Sequence, residues 1–107
     1  MTGRATGGKG SRQRTVLRLY VSGPAPNSEL ARAHLKAFLA EHADRSVELE
    51  IIDVLSNPER GLQDGILVTP TLVRVRPAPQ RSVAGNLRNR AALVAGIGFS
   101  ADGNDHE

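Results

Sequence analysis

The sequence predicts a single α/β domain with the element order β-α-β-α-β-β-α. Three observations carry that prediction. Two segments of alternating apolar residues, Val16 to Val21 and Val47 to Val54, bracket a stretch with helical apolar spacing. A Thr69-Pro70-Thr71 corner then leads into a β-branched run and a proline-rich turn. The last foldable stretch, Ala91-Ala92-Leu93-Val94-Ala95, is built from strong helix formers.

In the first segment, Leu17, Leu19 and Val21 point to one face and Val16, Arg18 and Tyr20 to the other. Gly23-Pro24-Ala25-Pro26 cannot lie inside a strand or helix and is a rigid turn. Asn27 or Ser28 caps the following helix, with Glu29 in a first turn that the helix dipole favours. This helix runs to about His42, with Ala31, Leu35, Phe38 and Leu39 on one face. In the second strand Val47, Leu49 and Ile51 share a side. Ile52 and Val54 follow, so its second half is expected to be buried on both faces. Strand, helix and strand with short joins imply a parallel, right-handed unit.

Asn57-Pro58-Glu59 starts a second helix, with Asn57 as cap and Pro58 at its first position. Gly61 and Gly65 keep it short. Thr71 to Val75 is a strand, Pro77-Ala78-Pro79 turns it, and Gln80 to Ala84 returns antiparallel. After the Gly85-Asn86 turn, Asn89 caps a last helix from Arg90 to about Gly98.

Of 107 residues, 1–14 and 101–107 have almost no apolar content and are expected to be disordered tails, basic and acidic respectively; the domain spans 15–100. No apolar run approaches the ~18 residues of a membrane span. The basic N-terminus has no apolar core behind it and does not read as a secretory signal. Absent cysteine rules out disulfides, cysteine zinc sites and thiol catalysis, and is in keeping with the cytoplasm. Between Asp64 and Asp102 there is no acid, while Arg74, Arg76, Arg81, Arg88 and Arg90 occur there. Such a stripe could meet an acidic protein surface or nucleic acid. Without interleaved aromatic rings for base stacking, a protein partner or plain solvation is the favoured reading.

Catalytic signals are weak. Ser28 stands at a helix start but has no sequence-local base, so it reads as a capping residue. His34 and His42 are eight positions apart, and His106 lies in the tail, so no metal spacing exists. Asp53 could act as a general acid or base, but the favoured role is a hydrogen bond to the backbone N–H of Ser56 or Asn57. The glycines form no phosphate-binding fingerprint. No catalytic, metal or cofactor site is expected.

Val68-Thr69-Pro70-Thr71-Leu72 resembles the proline loop of thioredoxin-like folds, in which the proline is cis and lies beside the redox cysteines. The matching helix start here is Pro24-Ala25-Pro26-Asn27-Ser28, without thiols. Three segments then coincide. They are Leu17 to Gly23 with Pro26-Asn27-Ser28, then Ile52-Asp53-Val54-Leu55-Ser56-Asn57-Pro58, then Ile66 to Leu72 followed by Pro77, Pro79, Arg81 and Gly85-Asn86-Leu87. From Val16 to Phe99 the chain resembles the KaiB family of bacterial clock proteins, which is related to the N-terminal sensor domain of the SasA kinase.

The resemblance implies a non-enzymatic binding module. Its members bind the ring-shaped hexameric ATPase KaiC, capture KaiA, displace SasA and promote KaiC dephosphorylation; others accompany KaiC-like ATPases in stress responses. It also implies two folds, a monomeric thioredoxin-like one that binds KaiC and a tetrameric one of order β-α-β-β-α-α-β. Local propensity favours the first. Clock members carry aromatics at the positions of Thr15 and Ala101, a larger aliphatic at Ala95 and an acid at Gly98, so contacts for the tetramer are reduced and a monomer is expected. By resemblance the partner-binding positions are Asn57, Pro58, Gly65 and Arg81. Gly65 replaces a lysine and Ser82 an arginine, which thins the charge pattern. Gly23, Pro26, Asn27, Ser28, Asp53, Thr69, Thr71, Pro79 and Gly85 are structural motif positions, and Pro70 is the cis-proline. Rival readings are a cysteine-free thioredoxin-like enzyme using a bound thiol cofactor, and an adaptor with an unrelated protein or nucleic-acid partner.

Overall fold

The computed structural model describes residues 14–99. Its elements are β1 (Thr15–Val21), α1 (Pro26–Ala40), β2 (Val47–Asp53), α2 (Pro58–Gln63), β3 (Thr71–Arg76), β4 (Arg81–Ala84) and α3 (Arg90–Ile97). This is the predicted order, with a helix rather than a strand across Arg90–Ile97. The sheet order is β2-β1-β3-β4. β1 and β2 are parallel, from Thr15 opposite Val47 to Val21 opposite Asp53, because α1 carries the chain back between them. β3 is antiparallel to β1, and β4 antiparallel to β3. The expected tails lie outside the described residues except for Arg14, which pairs with Glu48 at 3.1 Å.

Pleating divides the core in two. Leu17, Leu19 and Val21 join Ala31, Leu35 and Phe38 of α1, Leu72 of β3, Leu93 and Ile97 of α3, and Leu87 and Phe99. On the opposite face Tyr20, Ile52 and Val73 form a smaller cluster with Val54, Ile66 and Val75 around it.

Several boundaries differ from expectation. α1 begins at Pro26 with Ala25 in the cap position, so neither Asn27 nor Ser28 is a cap. Proline is preset for the first helical position and its missing N–H is no loss there, which moves the helix start ahead of both residues. α1 ends at Ala40, and the His42 ring turns back to the Phe38 carbonyl at 3.0 Å. Ile51 is 42% exposed and only Ile52 is buried in the second half of β2. As an edge strand, β2 has one sheet neighbour instead of two.

Asn57 does occupy the cap position of α2, but its side chain caps nothing; Nδ2 donates instead to the Asp53 carbonyl at 3.2 Å. The hairpin after β3 turns at Pro77–Pro79 and β4 begins at Arg81. Asn89 caps α3, its Oδ1 accepting from the Ala92 N–H at 3.0 Å. Arg74, read as part of a basic surface stripe, is buried. Its Nη1 donates to the Ile97 carbonyl at 3.2 Å and its Nη2 to the Pro79 carbonyl at 2.7 Å.

Candidate binding surface

The Thr69–Pro70 peptide bond is cis, as are Arg76–Pro77 and Ala78–Pro79. Pro70 is buried, and the corner around it is pinned from three sides. The Thr69 hydroxyl pairs with that of Ser22. The Thr71 hydroxyl donates to the Val68 carbonyl at 2.7 Å. The Pro70 carbonyl accepts from the Gly85 N–H at 2.8 Å. Ser22 in turn donates its N–H to Ser28 Oγ at 3.0 Å. The corner, the β1–α1 turn and the start of α1 are therefore one hydrogen-bonded unit.

Asp53 ties the β2–α2 connection into the same unit. Its Oδ1 accepts from the N–H groups of Gly23 at 3.1 Å and Leu55 at 2.9 Å. The expected partners, Ser56 and Asn57, donate to its main-chain carbonyl instead, at 3.1 and 2.9 Å. A carboxylate so used is a structural clasp. Ser28 is 1% exposed and already accepts a hydrogen bond, which leaves it no access to a substrate. His34 and His42 each place Nδ1 on a main-chain carbonyl, Asn86 at 2.7 Å and Phe38 at 3.0 Å. Among the described residues no group of three or more His, Cys, Asp or Glu side chains could hold a metal.

Beside the corner lies the largest departure from ordinary burial. Leu55, Leu62, Leu67 and Val68 are all exposed, Leu67 at 93%. Leu62, Leu67 and Val68 border a shallow groove of about 360 Å³, floored by Val54, Gly61 and Ile66 and reaching Pro58 and Thr69. Leu55 lies against Gly23 on the neighbouring turn. Apolar side chains clustered in this way mark a surface made to be covered. The sequence offered a partial signal. Leu62, Leu67 and Val68 sit among turn residues and fit neither a helical nor a strand period, which is how apolar residues without a core assignment look.

The sequence-predicted positions separate accordingly. Pro58 lines the groove, with Asn57 next to it at the start of α2. Gly65 follows the end of α2 and has φ 68°. A Cβ at Gly65 would meet nothing within 4 Å, so only the backbone resists substitution. Gly65→Ala is expected to cost about 1 kcal/mol in urea unfolding, the left-handed penalty alone; an unchanged midpoint would contradict that geometry. Arg81 and Pro79 stand apart, on β4 and its hairpin at the other sheet edge. Asn27 is exposed on α1.

Behind α2, on the face of the smaller cluster, is a polar group. Arg60 grips Glu50 with two hydrogen bonds, at 2.9 and 3.1 Å, and holds its carboxyl below the usual range. Arg18 donates to Asp64 Oδ2 at 3.1 Å, which raises the arginine further. Tyr20 donates its hydroxyl to the same oxygen. Burial first, and then this bond, push the phenol above its ordinary value. The basic stripe is broken: Arg74 is buried and Arg90 pairs with Glu41. Among the described residues no helix is long and apolar enough to cross a membrane.

Comparison with known proteins agrees with this architecture. The family model described as KaiB domain matches residues 18–98. The circadian clock oscillator protein KaiB of Gloeothece citriformis is 41% identical over 91 residues, covering 85% of this chain and 86% of that one. The protein of the same name from Microcystis aeruginosa is 44% identical over 82 residues, covering 77% and 79%. Among solved structures, the N-terminal domain of Synechococcus elongatus SasA superposes with a TM-score of 0.66 at 27% identity, over 78% of this chain and 81% of that one. Mitochondrial thioredoxin 3 of Saccharomyces cerevisiae gives 0.65 at 19% identity, over 78% and 76%, a likeness of fold alone.

Proposed function

The chain belongs to the KaiB family of circadian clock proteins, and from that premise we propose that it is a non-enzymatic cytoplasmic module that docks on a KaiC-like ATPase hexamer. In doing so it regulates the phosphorylation state of that ATPase, in a clock or a clock-derived stress pathway. The observation that carries the reading is the exposed apolar ledge of Leu55, Leu62, Leu67 and Val68 beside the fixed cis-proline corner. A rigid scaffold holds the ledge in place, so little ordering entropy opposes docking. Asn57, Pro58 and Gly65 border the docking patch. Arg81, on the far edge strand, tunes the approach of a charged partner rather than the centre of the contact.

The fold shared with the SasA domain supports competition between this protein and a SasA-like kinase for one surface on the ATPase. A KaiA-like protein would then join the assembled complex. The protein acts as a monomer, because its second half is already in the thioredoxin-like arrangement.

Binding of the full chain to a purified KaiC-type hexamer tests the proposal. The wild type is expected to bind. Leu62→Asp with Leu67→Asp is expected to weaken binding at least about tenfold, since central apolar contacts dominate interface energy, with an unchanged far-ultraviolet spectrum. No binding by the wild type would remove the partner assignment; undiminished binding by the double variant would remove the ledge.

A further inference from the structure

α2 is six residues long, and the only one of them that is buried is Gly61. A helix this short is not stable alone, and so little buried surface cannot fix its orientation. Polar contacts from its middle and from the residue that follows it do the holding. At Arg60 the clamp is the exposed pair with Glu50 of β2, a type of contact worth little in water. Directly after the helix, Asp64 places one carboxylate oxygen on both Tyr20 and Arg18 of β1. Tyr20 is 0% exposed with Asp64 in place, and its hydroxyl donates to that carboxylate. Losing a partner from a buried donor is much the costlier of the two events. The Asp64 clamp therefore governs.

We infer that Asp64, held by Tyr20 and Arg18, is the positioning residue of the docking surface. Resting on the docking reading above, this gives the ledge a support that lies behind it and touches no partner. The carboxylate fixes where α2 ends. The turn through Gly65 and Ile66 starts from that point, with Gly65 N–H on the Leu62 carbonyl at 3.1 Å and Ile66 N–H on the Gly61 carbonyl at 2.9 Å. Leu67 and Val68 follow at once. Moving Asp64 moves the ledge relative to the proline corner.

The chain has one tyrosine and no tryptophan, so phenolate absorbance reports on Tyr20 alone. Tyr20→Phe removes a single hydroxyl and leaves the ring on Ile52 and Val73. It is expected to speed hydrogen exchange at Asp64, Gly65 and Ile66 about tenfold relative to β1 and β3 amides, and to weaken hexamer binding about fivefold. Asp64→Asn is expected to bring the phenol titration down toward its ordinary range while β1 and β3 amides keep wild-type exchange, whereas loosening of the whole fold would lower the phenol and speed exchange across the sheet together. Unchanged exchange at 64–66, an equal rise across the sheet, or an unmoved phenol titration in Asp64→Asn would each overturn the inference. Leu62→Asp separates the two readings. It should lose binding while keeping wild-type exchange and titration. If it still binds, the ledge reading fails, and the Asp64 clamp is decided by the exchange and phenol titration results.

Discussion

Phe38→Ala is expected to lower the unfolding free energy by about 3–5 kcal/mol, the range for emptying a buried aromatic site. Phe38 is 2% exposed. Its ring lies 4.5 Å from that of His42 and 6.1 Å from that of Phe99, centroid to centroid, and the Arg90 guanidinium is 5.3 Å from its centre. The chain has two phenylalanines and one tyrosine, and Tyr20 belongs to the opposite face of the sheet. Among the described residues only the His42 and Phe99 rings border the gap, and each is already packed against the other, centroids 5.0 Å apart. A small domain is stable by roughly 5–15 kcal/mol, so this one truncation removes roughly a fifth or more of the total. Urea unfolding should show a large fall in midpoint with little change in slope. A loss below about 1 kcal/mol would mean that the aromatic cluster is not packed as described.

Gly98→Ala is expected to cost about 3 kcal/mol, from two sources that can be separated. Gly98 ends α3 in a left-handed conformation, φ 94°, with its N–H on the Val94 carbonyl at 2.8 Å. A side chain there carries a backbone penalty of about 1–2 kcal/mol. Its Cβ would also come within 2.7 Å of Arg74 Nη1. The end of an arginine can usually step aside, but this one is 7% exposed and anchored on the Ile97 and Pro79 carbonyls. Burial lowers its pKa from the ordinary value, with Arg81 adding to the effect. Displacement would strip hydrogen bonds from a charged group, worth about 1.5–3 kcal/mol. A melting temperature lower by roughly 10–20 °C follows for a domain of this size. Gly65→Ala is the internal control, since it carries only the backbone part. If the two variants melt together, Arg74 is not anchored in this way.

What the sequence made legible was local. The alternation of Leu17, Leu19 and Val21 gave β1, Asn89 gave the start of α3, and Pro77 with Pro79 gave the hairpin turn. Each depends on neighbours a few positions away. The misread residues depend on distant ones. Arg74 alternates like a surface residue, and its burial is decided by a carbonyl 23 positions later. Ser28 has the chemistry of a cap, but Pro26 sets the helix start two residues earlier. Asp64 looks like an ordinary residue after a helix until Tyr20, 44 positions away, is seen against it. The cis-proline corner could be anticipated because its motif is contiguous, and it was one of the three segments that carried the family resemblance. The ledge was legible only in part: Leu62, Leu67 and Val68 had no core assignment, but the exposure of Leu62 and Leu67 follows from how a short helix sits on the sheet.

The contact between the Ser22 and Thr69 hydroxyls joins the β1–α1 turn to the proline corner, the region where thioredoxin-like enzymes keep their thiols. A hydroxyl pair has no oxidised or reduced form to switch between. The sequence contains no cysteine, and its one methionine is Met1, so no sulfur lies within the folded residues 14–99. Thiol–disulfide exchange and sulfur oxidation therefore have nothing to act on there. The shape of the proposed docking surface therefore does not depend on oxidation of any sulfur in residues 14–99.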